Sequence, residues 1–128
     1  MDKPIFPLNS AIGIFDSGVG GLSVYKEIRK KLPSHPIIYF ADQTHVPYGP
    51  RKLEEVYLLS EKITQFLLTL GAKIIVIACN TASAAALYPL RELYPLIPFV
   101  GMEPAVKPAV EHTRSEEHTS ELQSRQVI

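Results

Sequence analysis

Several stretches of this chain are apolar from end to end and then stop abruptly at a turn. Ala11-Ile12-Gly13-Ile14-Phe15, Ile37-Ile38-Tyr39-Phe40 and Lys73-Ile74-Ile75-Val76-Ile77-Ala78 read as short strands. None alternates polar with apolar residues, so neither face of such a strand can lie against water. Each is followed by helical spacing. Leu22, Tyr25, Ile28 and Leu32 form one stripe after the first, with Lys26, Arg29, Lys30 and Lys31 mostly opposite. Leu53, Val56, Tyr57, Ile63, Phe66, Leu67 and Leu70 form another, on a helix from about Lys52 to Leu70 that Gly71 stops. The helix after the third strand meets Pro89, which is expected to end or kink it. Pro98-Phe99-Val100-Gly101 reads as a fourth strand, followed by a helical stretch from Pro104 to about His112. Buried strands alternating with helices specify an α/β fold, an open parallel sheet with helices on both faces.

The 128 residues suffice for one domain or part of a larger one, and no internal repeat is visible. Lysine plus arginine balance aspartate plus glutamate at 13 each, which argues against a nucleic-acid or anionic-membrane partner. One cysteine excludes an internal disulfide and suits a reducing compartment. Residues 1–10 hold one lysine, two prolines and no long apolar run, unlike a signal peptide. No stretch approaches the roughly eighteen apolar residues of a membrane span. The expected compartment is the cytoplasm.

The single cysteine, Cys79, stands where the third strand turns into a helix, in Cys79-Asn80-Thr81. Open α/β sheets place their ligands at such carboxyl ends. The adjoining helix start offers unpaired N–H groups and a positive dipole end, both of which favour thiolate over thiol. Cys79 is therefore a candidate base or nucleophile, beside the plainer alternative of a small buried hydrophobe. The first strand ends in Asp16-Ser17-Gly18-Val19-Gly20-Gly21. Its glycines permit close backbone approach to an anion, or simply make a tight turn with Asp16 capping the helix. No Gly-Lys-Ser/Thr follows, and the spacing is wrong for a dinucleotide fingerprint. The second strand ends at Asp42, before Val46-Pro47-Tyr48-Gly49-Pro50. That stiff loop either holds Tyr48 over a pocket or is an ordinary surface turn. His45, just before it, is a ligand or a proton shuttle, a partner of Cys79 as in a Cys/His hydrolase, or merely exposed.

Asp16, Asp42 and Cys79 would share one rim of a parallel sheet. With the hydroxyls of Ser17 and Thr81, the Asn80 amide and two helix starts, this inventory suits a small zwitterion. Helix N-termini and hydroxyls take a carboxylate, and an aspartate takes an ammonium group. The scattered histidines and lone cysteine give no metal-ligand set, and no cofactor motif is visible.

Ile14-Phe15-Asp16-Ser17-Gly18-Val19-Gly20-Gly21-Leu22-Ser23, Val46-Pro47-Tyr48-Gly49, Ala78-Cys79-Asn80-Thr81-Ala82 and Glu103-Pro104-Ala105-Val106-Lys107-Pro108-Ala109 together resemble glutamate racemases, in the family's order. The resemblance covers roughly residues 11–113. It implies a cofactor-independent isomerase interconverting L- and D-glutamate for bacterial peptidoglycan and the cell wall, with the small molecule glutamate as substrate and no nucleic-acid or membrane partner. Cys79 would be one of two catalytic cysteines, with Asp16 managing its proton or the substrate ammonium. Asp16, Ser17, Tyr48, Gly49, Asn80 and Thr81 would contact substrate. A homodimer is open to the full-length parent.

The sequence departs from the family in two places. The family usually reads closer to Phe-Gly-Asp-Thr-Ala-Arg where this chain has Phe40-Ala41-Asp42-Gln43-Thr44-His45. That leaves room for a related amino-acid racemase, chiefly of aspartate; a non-catalytic amino-acid-binding module using the same rim without turnover is a separate alternative. The family's second cysteine, in a Gly-Cys-Thr-His-like block, is absent. The expected organisation is an incomplete first α/β domain over residues 1–100 and the start of a second over 101–113. Residues from about 115 onward resemble a translated sequencing adapter, so 114–128 are expected to be a non-native or disordered tail. Such a truncated half of a two-domain fold would be inactive alone, and its uncovered sheet edge and domain face would make it poorly soluble.

Overall fold

The computed structural model describes residues 10–18, 20–104 and 125–127. Its strands are β1 (Ala11–Asp16), β2 (Ile37–Ala41), β3 (Ala72–Ile77) and β4 (Phe99–Val100), with helices α1 (Leu22–Lys31), α2 (Leu53–Thr69) and α3 (Asn80–Leu93) between them. The four strands form one parallel sheet in the order β2-β1-β3-β4. β1, flanked on both sides, is buried along its whole length.

The sheet is covered on both faces, as continuous apolar strands require. On one face Ile12, Ile14, Val76 and Ala78 pack with Val24, Tyr25 and Ile28 of α1. On the other, Phe15, Ile75 and Ile77 pack with Val56, Ile63 and Leu67 of α2 and with Ala82, Ala86, Leu87 and Leu90 of α3. Gly13 lets α2 settle there. A Cβ on it would stand 3.1 Å from the Ala72 Cβ and 3.2 Å from side-chain carbons of both Ile75 and Leu67.

The apolar stripe of α2 is narrower than its sequence suggests. Its buried residues are Val56, Ser60, Ile63, Thr64 and Leu67. Leu53, Phe66 and Leu70 are exposed. A helix crossing a sheet on one side and a second helix on the other buries little more than one row of side chains. Tyr57, Leu59 and Leu68 pack at the margin of the core, and the remaining apolar side chains face outward. Gly71 does stop the helix, in the left-handed region at φ 105°.

Pro89 lies inside α3, which continues through it to Leu93. The ring occupies an exposed position, and the turn beyond is anchored from elsewhere. Leu90 is fully buried, and Arg91 Nη2 donates to the Phe99 carbonyl at 2.8 Å. These tertiary contacts outweigh the lost helical hydrogen bond.

After β4 the chain passes Gly101 into β5 (Met102–Pro104), which pairs antiparallel with β6 (Arg125–Val127). Pro104 therefore closes a strand rather than opening a helix, and Pro is compatible with such a strand end. The expected helix over 105–112 and most of the tail lie outside the described residues. Ser83 fixes the exit, since its Oγ donates to the Ile77 carbonyl at 3.2 Å and accepts from the Met102 N–H at 2.8 Å.

Candidate active site

Strand order locates a crevice before any side chain is considered. From β1 the chain crosses through α1 to β2 on one side, then returns through α2 to β3 on the other. The loops leaving β1 and β3 therefore diverge to opposite faces, and the gap between them is the sheet's topological switch point. Register brings the predicted residues level there. Phe15 pairs with Ile77 and Asp16 with Ala41, so Asp16, Asp42 and Cys79 stand on one rim.

Cys79 is the N-cap residue of α3, held extended at φ −137° and ψ 129°. The preceding Ala78 N–H bonds the Phe15 carbonyl at 2.8 Å, and the Ser83 N–H bonds the Cys79 carbonyl at 2.9 Å. The sulfur is thus fixed by sheet and helix together. Its Sγ accepts the Ala82 N–H at 3.4 Å and lies 3.7 Å from Ser17 Oγ across the crevice. At 7% exposure it is nearly enclosed.

Asp16 is spent on the turn. Oδ1 accepts the Ser17 N–H at 2.7 Å, and Oδ2 accepts the Gly21 N–H at 2.5 Å. The tight turn raised by the sequence is thus formed, but Asp16 does not cap α1, whose N-cap residue is Gly21 with no side-chain cap bond; each carboxylate oxygen keeps a further acceptor position. Gly21 is pressed against the sheet. A Cβ there would fall 2.8 Å from both the Ala78 Cβ and the Tyr39 hydroxyl, and 3.0 Å from the Asp16 Cβ. Val19 of the same turn lies outside the described residues.

Asn80 and Thr81 open α3 beside the sulfur, both half-buried. The Asn80 Oδ1 is buried without a hydrogen-bond partner. Tyr48 lies deeper than a pocket-lid residue, at 2% exposure, within the same apolar cluster as Cys79. Its hydroxyl donates to Asp42 Oδ2 at 2.6 Å. Burial, the Asp42 hydrogen bond and the nearby charges of Asp42, Cys79 and Asp16 all push that hydroxyl far above the ordinary phenol range. Gly49 borders open space, with nothing within 4 Å of a Cβ placed on it. His45 turns to Asp42, its Nδ1 lying 2.8 and 3.0 Å from the two carboxylate oxygens, so the Cys/His pairing is not formed.

Sequence reasoning passed over Tyr39. Its strand pairs it with Ile14, and its hydroxyl reaches the Asp16–Gly21 turn, buried without a hydrogen-bond partner. Burial first, then the Asp16 charge, raises this hydroxyl to about 12. The only available signal was a phenol inside an otherwise apolar strand. Among the described residues no three His, Cys, Asp or Glu side chains converge to hold a metal.

The crevice therefore offers a sulfur at a helix start, a facing hydroxyl and a carboxylate-bound turn, with an unpartnered amide oxygen buried at the α3 start. Residues 12–117 match the Asp/Glu/Hydantoin racemase family model. Over 107 residues the chain is 57% identical to glutamate racemase of Pseudomonas aeruginosa, which covers 84% of this chain and 40% of that enzyme. Glutamate racemase of Thermus thermophilus, solved with β-chloro-D-alanine, superposes with a TM-score of 0.72 at 44% identity over 88% of this chain and 42% of that one. The Francisella tularensis glutamate racemase, solved with D-glutamate, gives a TM-score of 0.70 at 34% identity, covering 86% and 41%. The chain thus spans about 40% of the length of the relatives it matches. On the extent of the family match, this chain belongs to the Asp/Glu/Hydantoin racemases.

Proposed function

We propose that this chain is the N-terminal part of a glutamate racemase and that Cys79 is one of its two proton-transfer thiols. The observation carrying this reading is the Cys79 sulfur at the switch-point crevice, bonded to the α3 start and facing Ser17 Oγ.

Inversion at a carbon through a planar carbanion needs a base on one face and an acid on the other. The deprotonated sulfur takes the α-proton. An S–H bond forms as the Cα–H bond breaks, and the electron pair moves into the carboxylate. A thiol on the opposite face returns a proton to Cα. Ser17, Thr81 and the backbone donors at the α3 start serve the carboxylate as its charge grows. Asn80 Oδ1 is free to accept from the ammonium, with Asp16 a second acceptor through its remaining lone pairs. Tyr48 and Gly49 form the wall beyond.

This chain contains one cysteine, so the opposing thiol belongs to further sequence of the parent. On this reading residues 1–100 belong to an incomplete first domain, 101–113 to the start of a second, and 114–128 to a non-native or disordered tail. The product feeds peptidoglycan in the cytoplasm, and the parent is assigned as a homodimer.

The test is isotopic. The full-length parent, incubated with L-glutamate in deuterium oxide, is expected to yield D-glutamate carrying deuterium at the α-carbon. Cys79→Ala should lower this rate about 10³-fold or more, and the 128-residue polypeptide should yield no D-glutamate. Glutamate binding that survives Cys79→Ser, with no deuterium entering the wild type, would replace this reading with a binding module. Faster exchange of aspartate would replace the substrate.

A further inference from the structure

The loop that follows β2 carries a hydrogen-bond relay from His45 through Asp42 to Tyr48. His45 ends a short 3-10 turn (Gln43–His45) that follows Asp42. The two oxygens of Asp42 can only accept, so the His45 Nδ1 within 2.8 Å of Oδ1 bears the hydrogen. The Tyr48 hydroxyl holds the other oxygen at 2.6 Å. Asp42 is 6% exposed, so neither donor is readily replaced by water. Arg51 Nε donates to the His45 carbonyl at 3.0 Å and fixes the backbone from which the ring reaches. Beyond Asp42, Tyr48 packs in the cluster that contains Cys79.

Resting on the racemase reading, we propose that His45 is a positioning residue: by donating through Nδ1 to Asp42 it locks the carboxylate that holds the Tyr48 hydroxyl, and so fixes the wall against which substrate is seated. Without that donor, Asp42 Oδ1 is unpaired in a buried site, and the carboxylate is free to turn about its Cβ–Cγ bond. The Tyr48 ring then loses its anchor. His45 touches no reacting atom, so its loss loosens substrate placement. An asparagine can carry an amide N–H where the imidazole Nδ1 stands, which separates the hydrogen bond from the ring itself.

The experiment uses the full-length parent with His45→Ala and His45→Asn, and His45→Ser as a second variant too short to reach Asp42. Glutamate racemisation is measured together with the Tyr48 Cζ resonance of protein labelled with carbon-13 tyrosine, assigned by Tyr48→Phe. The ring of His45 is 42% exposed, so the donor-free variants are expected to fold. They should raise KM about tenfold with kcat within about threefold and displace the Tyr48 resonance, while His45→Asn stays near wild type in both. Unchanged KM and an unmoved resonance in His45→Ala would overturn the proposal, as would equal damage from His45→Asn. A wild-type parent that binds glutamate without racemising it would overturn the functional reading alone. In that case the Tyr48 resonance and glutamate affinity of the same variants decide the relay.

Discussion

Asp16 and Asp42 end neighbouring parallel strands, are equally buried, and hold their loops by opposite means. Asp16 gives both oxygens to main-chain N–H groups of its own turn, at Ser17 and Gly21. Asp42 gives both to side chains, Tyr48 and His45. The first loop is therefore determined by one residue and the backbone path, with Gly21 wedged against Ala78 to enforce it. The second depends on several residue identities at once. A backbone-held loop tolerates change at its other side chains, whereas a loop held by side chains can be retuned by one substitution.

Four expectations would break or sharpen this contrast. The largest effect belongs to Asp16→Ala, which leaves the buried Gly21 N–H without its acceptor. It should cost about 2–3 kcal/mol, read as a lower urea midpoint at constant slope. A cost near zero would mean the turn is held otherwise. Tyr48→Phe removes one donor from Asp42 and leaves its packing, so about 1–2 kcal/mol is expected in the same assay.

Alkali gives a smaller, directional effect. Tyr39 titrates near 12 when folded and near 10 when unfolded. The unfolded chain therefore releases its proton first, and stability present below about pH 10 falls as pH rises towards 12. Tyr39→Phe should flatten that part of the curve, and an unchanged slope would contradict the burial of this hydroxyl. Gly49→Ala should do least. A Cβ on Gly49 would meet nothing within 4 Å and its backbone is not left-handed, so the change should stay within about 0.5 kcal/mol. A large loss there would show that the Tyr48 loop is as constrained as the Asp16 turn.

What the sequence disclosed follows the same division. Strand runs, their polar ends and the cysteine before an alanine-rich helix are local signals. They sufficed for the parallel sheet, the shared rim and the α3 start beside Cys79. The burial of Tyr48 was not legible, because it depends on Asp42 lying within reach after the loop folds back. Nor were the outward positions of Leu53, Phe66 and Leu70, because helical spacing marks an apolar face without telling how much of it finds a partner. Pro89 misled for a related reason, since Leu90 and Arg91 are anchored by groups remote in sequence. Tyr39 reads as a strand residue, and its hydroxyl matters only because α1 begins above it.

Ser83 has a mechanical consequence. Its N–H holds the Cys79 carbonyl, and its Oγ holds the Met102 N–H. Gly101, immediately before, is closely packed: a Cβ there would fall 2.9 Å from Leu87 Cδ2 and 3.1 Å from Ser83 Oγ. The chain thus departs over a bearing seated one helical turn from the thiol. One residue of the first turn of α3 therefore ties the carbonyl beside the thiol to the start of β5.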